Sequence, residues 1–178
     1  MTNPAQKVIL RPLEENDITD RYISWFADKE VTRFLESRNI TKEDSIKNLR
    51  MGIKTGLYHM YAICLAKNGL HVGNIKIGPI RPKEGISDLV TLIGDKTIWG
   101  QGIGRAAIRL AKDMAFNQYG IRKLVASINS LNTKSVDSYV SAGFNIEAVI
   151  SKFYNNSFDG KNSFSDKVFV SCENPKFK

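Results

Sequence analysis

The sequence has very few of the residues that build disulfide frameworks and zinc sites. It contains two cysteines and two histidines, without the spacing of a metal-binding or disulfide motif. Cys64 lies in an apolar segment, where a cysteine packs as a small hydrophobe, and Cys172 lies near the C-terminal end. We therefore expect no metal and no disulfide, and a cytoplasmic location as the default.

Long apolar runs are also missing. The longest uninterrupted run, 61–66, is far shorter than the roughly 20 residues that a membrane-spanning helix needs. The first residues, Met-Thr-Asn-Pro-Ala-Gln-Lys, lack the apolar stretch of a secretory signal. These absences predict a protein without a membrane partner.

Acidic residues are also fewer than basic residues in this sequence. There are 18 of them against 26 Lys and Arg, which gives a net charge of +8. This excess points to a polyanionic partner, either a nucleic acid, a membrane surface or a phosphorylated small molecule. Between Trp99 and Lys134 six basic residues oppose one acidic residue, a net of +5. A polyphosphorylated cofactor held near this segment explains the excess better than a nucleic acid or a membrane does.

What is present is a chain of alternating strand and helix patterns. The expected elements are a strand at 7–12, helices at 14–28, 31–35 and 41–56, strands at 57–67, 70–80 and 88–94, a helix at 103–120, a strand at 122–129, a helix at 132–142, and two strands around the loop 155–163. Thr41 is the expected N-cap of the third helix, Asn68-Gly69 predicts a hairpin turn, and Gly120 is the expected C-cap of the helix that starts at 103. The 178 residues suit one domain, 1–178. The order predicts the α/β class (an α+β mixed sheet), with a central mixed β-sheet flanked by helices.

The segment after the strand 88–94 carries the chemistry. Residues 99–105 read Trp-Gly-Gln-Gly-Ile-Gly-Arg and open a helix. Glycines let a ligand approach main-chain N–H groups, and a helix N-terminus attracts anions, so the segment predicts a phosphate cradle. A glycine-rich connection without a ligand is the alternative. A dinucleotide fold would need an acid within 126–129, and a P-loop would need Lys-Ser/Thr after Gly104; both are missing.

Two motifs resemble the GNAT superfamily of acetyl-CoA-dependent N-acetyltransferases. Residues 99–104 are similar to its phosphate loop, Gln/Arg-x-x-Gly-x-Gly/Ala, with Trp99 in the first position. Residues 132–144 are similar to its second motif and read Asn-x-x-Ser-x-x-x-Tyr-x-x-x-Gly-Phe. Leu-Arg-Pro-Leu at 10–13 and the aromatic residue at 99 look like the RimJ/RimL-like branch, the ribosomal-protein acetyltransferases. The resemblance spans essentially the whole chain and implies a GNAT-type fold with acetyl-CoA as co-substrate.

The resemblance also implies which residues bind the cofactor. The amides of 101–105 would hold the pyrophosphate, and the backbone of 92–94 would run beside the pantetheine arm and polarise the acetyl carbonyl. The residues expected to bind acetyl-CoA are Leu92, Ile93, Gly94, Trp99, Gly100, Gln101, Gly102, Ile103, Gly104, Arg105 and Asn132. An ordinary core strand is the alternative for 92–94, and a helix N-cap is the alternative for Asn132.

Two residues are candidates for proton transfer. In the family a tyrosine at the position of Tyr139 protonates the leaving thiolate, whereas helical spacing also predicts that it packs in the core. An ammonium must lose a proton before it attacks, so a general base is expected. Asp88 is the candidate because it begins the strand that leads to the acetyl site; a solvated strand-end carboxylate is the alternative. Alternation places it on one strand face with Val90 and Leu92. Glu36 and Asp95 are weaker candidates.

The acceptor site is expected in the first helices, from Trp25, Arg33 and Glu36, with Phe34 and Arg38 nearby. The runs 22–28 and 73–79 look like members that acetylate amino-sugar nucleotides, and direct transfer in a ternary complex is the implied mechanism. A protein N-terminus or another small amine is the alternative acceptor, and a polyamine is disfavoured because a cation wants an acidic pocket. A basic nucleic-acid-binding module is the competing class, although no nucleic-acid motif is present and we expect no such partner. A homodimer contact is expected at the last strands.

Overall fold

A computed structural model of the chain describes residues 7–35, 38–156 and 163–177. The strands are β1 Val8–Pro12, β2 His59–Leu65, β3 His71–Arg81, β4 Ile86–Ile93, β5 Lys123–Asn129, β6 Asn145–Asn155 and β7 Phe164–Glu173. The α-helices are α1 Asp20–Ala27, α2 Lys42–Thr55, α3 Ile103–Asn117 and α4 Thr133–Ser141. Short 3-10 turns cover Glu15–Asp17, Lys96–Ile98 and Pro175–Phe177. None of the helices in these ranges is long and apolar enough to cross a membrane.

The strands form one seven-stranded sheet in the order β1-β2-β3-β4-β5-β7-β6. The β4–β5 pair is parallel and the other pairs are antiparallel. The mixed α/β class and the flanked central sheet are therefore confirmed. The hairpin predicted at Asn68-Gly69 joins β2 to β3, and Gly69 has the positive φ of +69° that this turn requires.

The sheet separates two apolar clusters. One lies under α3 and α4 and includes Leu89, Ala107 and Tyr139. The other lies under α1 and α2 and includes Trp25 and Leu92. We call the two sides of the sheet the α3–α4 face and the α1–α2 face. Burial on both sides explains why β2 is almost continuously apolar rather than alternating.

The helix predicted over 14–28 and the helix predicted over 31–35 both differ from the structure. The first is interrupted, since α1 starts only after Thr19, whose hydroxyl accepts the Tyr22 N–H. In the second, the Asp28 carboxylate accepts the N–H groups of Glu30 and Val31 and fixes a turn. Side chains that bond their own backbone favour turns over helices, which is why the periodicity alone was misleading.

The remaining helix ends follow simple capping rules. Thr41 caps α2 with a reciprocal bond to Asp44, and Gly56 ends that helix with a left-handed backbone. At the end of α3 the cap residue is Gln118 rather than the expected Gly120. Gly120 lies just beyond with φ +62°, and it turns the chain so that the Ile121 N–H reaches the Ala115 carbonyl.

Candidate active site

The parallel strands β4 and β5 separate along their length. They pair at Ile86–Asp88 and Lys123–Val125. Beyond these positions β4 continues along β3 to Ile93, and β5 continues along β7 to Asn129, without further β4–β5 pairing in the described chain. We call the opening between 89–93 of β4 and 126–129 of β5 the splay. It interrupts the hydrogen-bond pairing of the sheet.

Hydrogen bonds reveal which peptide groups of β4 line the splay. The Gly94 N–H donates to the Val72 carbonyl at 3.0 Å, which continues the β3 ladder. The Leu89 carbonyl instead accepts the Tyr139 hydroxyl at 2.7 Å. Because peptide groups alternate sides along a strand, those of Leu89, Thr91 and Ile93 turn towards the splay.

This alternation refines the expected contacts of 92–94. Of the three residues, Ile93 directs its peptide groups into the splay, whereas those of Leu92 and Gly94 are directed at β3. Thr91 also directs its N–H into the splay, and the sequence analysis did not single it out. Counting back two residues from Ile93 along the strand would have found it.

The loop before α3 has the backbone of an anion cradle. Gly100 and Gly102 both have φ +78°, a conformation that favours glycine. The first intrahelical bond runs from the Ala106 N–H to the Gly102 carbonyl, so the N–H groups of 103–105 are not used within the helix. A Cβ on Gly104 would meet the Ile93 and Ser138 side chains at 3.7 and 3.9 Å, ordinary contact distances.

Arg105 adds a side chain to the cradle. Its Nε is buried, and among the described residues it has no hydrogen-bond partner. A buried donor without an acceptor is costly, and it lies one turn from unpaired helix N–H groups that favour negative charge. The residues present therefore fit the pyrophosphate of CoA.

Trp99 has a clear structural role at the first position of the loop. Its indole Nε1 donates to the Ile93 carbonyl at 3.0 Å, and the ring packs against the cluster under α1 and α2. The bond ties the start of the loop to the end of β4. Asn132 is the N-cap of α4, since its side chain accepts the Ser135 N–H at 3.3 Å.

Most of the basic residues between Trp99 and Lys134 are engaged elsewhere. Arg109 and Lys112 donate to the Ser141 and Ala142 carbonyls at 2.6 and 2.8 Å, where they stabilise the end of α4. Lys123 forms a salt bridge with Glu147, and Arg122 donates to the Glu84 carbonyl at 3.2 Å. The net charge of this segment therefore overstated the charge of the cradle.

Tyr139 reaches the splay from the α3–α4 face. Its ring is 3% exposed and packs edge-on against Phe144, with 5.1 Å between centroids. The hydroxyl donates to the Leu89 carbonyl and lies 3.4 Å from the Thr91 hydroxyl. Burial raises the pKa of Tyr139 well above its usual value, so the phenol keeps its proton at neutral pH.

Asp88 belongs to the opposite face. Leu92 packs with Trp25 while Leu89 packs with Tyr139, so even-numbered side chains of β4 lie on the α1–α2 face. This agrees with the expected common face of Asp88, Val90 and Leu92. Burial raises the pKa of Asp88, while the nearby charges of Arg81, Lys76 and Lys167 oppose that shift.

The structure does not bring Trp25 together with Asp88. The Trp25 ring is 5% exposed and lies against Gly94, where an added Cβ would be 2.0 Å from the indole. Gly94 is six residues from Asp88 along an extended chain, a span of about 20 Å. Trp25 instead lines a surface concavity of about 350 Å³ with Tyr22 and His71.

The remaining candidates, both for the acceptor site and for the base, either contact other residues or lie outside the described residues. The exposed Arg33 guanidinium stacks on the Phe34 ring at 5.2 Å from its centroid. Asp95 caps the 3-10 turn that follows β4 and pairs with Arg21 at 2.8 Å, and Glu36 lies outside the described residues.

Three cations near Asp88 were missed by the sequence analysis. Arg81 lies 3.7 Å from its carboxylate, and Lys76 and Lys167 are close enough to influence its pKa. The pairing register places Lys76 beside Val90 and Lys167 beside Asn129. Alternation marks Lys76 as a same-face neighbour, but Lys167 is distant in sequence and only the sheet order brings it near.

Known proteins share this fold. The spermidine N-acetyltransferase from Vibrio cholerae, solved with CoA and spermine, matches with a TM-score of 0.83 and 16% identity, over 96% of this chain and 98% of that one. An acetyltransferase of the GNAT family from Bacillus anthracis matches with a TM-score of 0.77 and 15% identity, over 94% of this chain and 95% of that one. At such identities the likeness shows the fold alone.

Sequence comparison identifies the family. No curated protein sequence matches the chain. The model of the acetyltransferase (GNAT) domain matches residues 7–145, most of the chain and all of the loop and splay up to the start of β6. The chain therefore belongs to the GNAT acetyltransferase family and is an acetyl-CoA-dependent N-acetyltransferase.

Proposed function

We propose that the splay is the site of transfer and that a primary amine of a small molecule attacks there directly. The observation that carries this proposal is the Tyr139 hydroxyl, held at the Leu89 carbonyl just where β4 and β5 cease to pair. A proton donor is thus fixed at the inner end of an opening whose outer end meets the α3 cradle. Acetyl-CoA supplies an activated acetyl thioester.

The cofactor side uses mainly peptide groups. The N–H groups of 102–105 and the Arg105 guanidinium are suited to the pyrophosphate. The N–H groups of Thr91 and Ile93 are available to the pantetheine arm and the acetyl carbonyl. Such donors stabilise negative charge that develops on the carbonyl oxygen during attack. Asn132 is a proposed further contact in addition to its role as an N-cap.

Two proton transfers complete the reaction. Asp88 accepts one proton from the ammonium, and the free amine forms the new N–C bond. As the C–S bond breaks, Tyr139 gives its proton to the sulfur and recovers one from the product nitrogen through solvent. The raised pKa of Asp88 makes it a stronger base than an exposed carboxylate, and the raised pKa of Tyr139 keeps its proton available.

The acceptor that the sequence favours is an amino-sugar nucleotide. This rests on the resemblance of the runs 22–28 and 73–79 to members with that activity. A protein N-terminus is the alternative that follows from the RimJ/RimL-like resemblance, which rests on residues 10–13 and Trp99 alone. A polyamine is a third candidate, since the Vibrio cholerae relative was solved with spermine.

A thermal shift followed by a turnover screen tests the proposal. Acetyl-CoA should raise the Tm by mass action. At one hundred times its Kd, it adds about 2.7 kcal/mol to the free energy of unfolding. The screen covers amino-sugar nucleotides, peptides and spermidine. No shift at millimolar acetyl-CoA, or a shift without turnover of any amine, contradicts the proposal. Tight and steeply salt-dependent binding to nucleic acid would favour the competing class.

The proposed homodimer would form at β6. This strand is the sheet edge, and Ile146, Val149 and Ile150 are each about half exposed along it. An exposed edge with apolar side chains is a template for pairing with a second copy. Light scattering should give twice the mass of one chain, and Val149→Lys should give the monomer. A monomeric wild-type protein at all concentrations contradicts this contact.

A further inference from the structure

Two lysines flank the splay on the α1–α2 face. Lys76 of β3 pairs with Val90, which shares its face with Asp88. Across the splay, Val125 pairs with Asp88, and alternation along β5 puts Asn129 and its partner Lys167 on the same face. The two lysines therefore lie on opposite sides of the splay, on the face away from α3.

Each lysine is held by an aromatic ring rather than by a carboxylate. The Lys76 Nζ lies 4.1 Å from the Tyr58 ring centroid, and the Lys167 Nζ lies 4.4 Å from that of Phe153. Tyr58 is itself fixed, since its hydroxyl donates to the Asn48 carbonyl at 2.5 Å. Neither ammonium forms a salt bridge within the described chain. A cation–π contact positions a cation without neutralising it.

Two further observations show donors that are suited to a negative group. Burial lowers the pKa of Lys76, although the charge of Asp88 opposes that shift. Asn74, two residues earlier on the same face of β3, is 7% exposed, and its Nδ2 has no partner among the described residues. Buried donors are normally satisfied, so both groups are suited to oxygen atoms of a ligand.

The charge balance at this opening separates acceptor classes. Lys76, Lys167 and Arg81 carry three positive charges, against one negative charge on Asp88. A polyamine would meet repulsion from them, whereas an amine attached to an anionic group would be attracted. The cradle at α3 opens on the other face, so the cofactor phosphates do not account for these cations.

Building on the proposed function, we infer that Lys76 and Lys167 form an anion subsite that binds a phosphate of the acceptor and so determines its specificity. The subsite positions the molecule while its amine reaches Asp88 at the inner end of the splay. A sugar phosphate and a nucleotide sugar both carry phosphate, and a comparison of their binding distinguishes the two.

A binding measurement tests the subsite independently of turnover. Calorimetry with saturating CoA, which fills the α3 cradle, should detect binding of UDP or of glucosamine 6-phosphate, and the tighter of the two identifies the source. Lys76→Met and Lys167→Met should each weaken that binding by about tenfold. Lys76→Arg should restore most of it. Lys54→Met, an exposed lysine in the last turn of α2, is the matched control and should bind as wild type does.

Turnover provides the second readout. With glucosamine 6-phosphate and glucosamine as a matched pair, Lys76→Met should raise KM for the phosphorylated amine more than KM for glucosamine, while KM for acetyl-CoA remains unchanged. Equal KM values in wild type for the two amines, better turnover of spermidine, or UDP and sugar-phosphate binding unaffected by both lysine variants would overturn the subsite. Turnover without charge preference refutes the subsite alone, whereas binding without any turnover refutes the proposed function alone.

Discussion

The two faces of the splay present charge to a ligand in different ways. On the α3–α4 face the donors are peptide N–H groups of a helix start, joined by Arg105, and Tyr139 is buried and neutral. On the α1–α2 face the charge belongs to side chains, with Lys76 and Lys167 held by aromatic rings around Asp88. In the proposed reaction, the first face binds its ligand through backbone conformation and the second through the charges of individual side chains.

This difference explains which substitutions each face tolerates. Trp99 replaces the Gln or Arg of the family pattern, yet Gly100 and Gly102 keep the left-handed backbone that shapes the cradle. Backbone donors survive the loss of a side chain, whereas a side-chain charge does not. We therefore expect the cofactor to depend on conformation and the acceptor to depend on individual charges.

The largest effect should come from a charge placed in the backbone cradle. Gly104→Asp puts a carboxylate beside the N–H groups of 103–105 and should weaken acetyl-CoA binding by about 10³-fold, since like charges about 4 Å apart repel by roughly 4 kcal/mol near a surface. Gly104→Ala is the control, because a Cβ there makes only ordinary contacts. Calorimetry with acetyl-CoA measures both. Similar binding by the two variants would argue against the cradle.

Removing the buried phenol should have the next largest effect. Tyr139→Phe should lower kcat by about 10²-fold through loss of a general acid, while the Kd for acetyl-CoA is kept. The Leu89 carbonyl also loses its donor, so the Tm should fall. Thr91→Val, which removes the longer hydroxyl contact, is the matched control for packing. A kcat unchanged in Tyr139→Phe would leave Tyr139 with a packing role only.

On the other face, loss of the base should have a smaller effect because water can replace it. Asp88→Asn should lower kcat/KM on the order of 10-fold at neutral pH and remove the acid limb of the pH profile. Burial raises the pKa of Asp88, so the folded state binds this proton more tightly than the unfolded state does. The free energy of unfolding therefore decreases as pH rises through the raised pKa. The variant should therefore be slightly more stable at neutral pH. An unchanged acid limb would exclude Asp88 as the base.

The smallest effect is expected at the aromatic residue that opens the loop. Trp99→Phe removes the bond to the Ile93 carbonyl but keeps the ring against the α1–α2 cluster. One neutral hydrogen bond contributes about 1 kcal/mol, so KM for acetyl-CoA should rise by about fivefold at most. Steady-state kinetics with acetyl-CoA varied measures this. A loss of acetyl-CoA affinity as large as that in Gly104→Asp would show that the side chain at the first position of the loop also contributes to cofactor binding.

Local signals predicted most of the elements, because each depends on residues close together in the chain. The N-cap at Thr41, the turn at Asn68-Gly69 and the period of α3 all have short-range causes, and each lies where it was expected. The prediction failed over 31–35, where the Asp28 side chain captures backbone donors. Apolar residues at helical spacing indicate which side chains are buried, but a turn held by side-chain hydrogen bonds can bury the same residues without forming a helix.

The proposed cofactor side of this protein is readable from neighbouring residues in the chain. The glycines of 100–104 and the start of α3 are contiguous, so their order along the chain already predicts an anion cradle, and the second motif at 132–144 predicts a tyrosine in α4. The proposed acceptor side depends instead on the arrangement of the strands in the sheet. Strand order and register bring Lys76, Asp88 and Lys167 around one opening and leave Trp25 at the far end of β4. The physical reason is that a backbone cradle is built by neighbours in sequence, whereas a charge cluster is built by neighbours in a sheet.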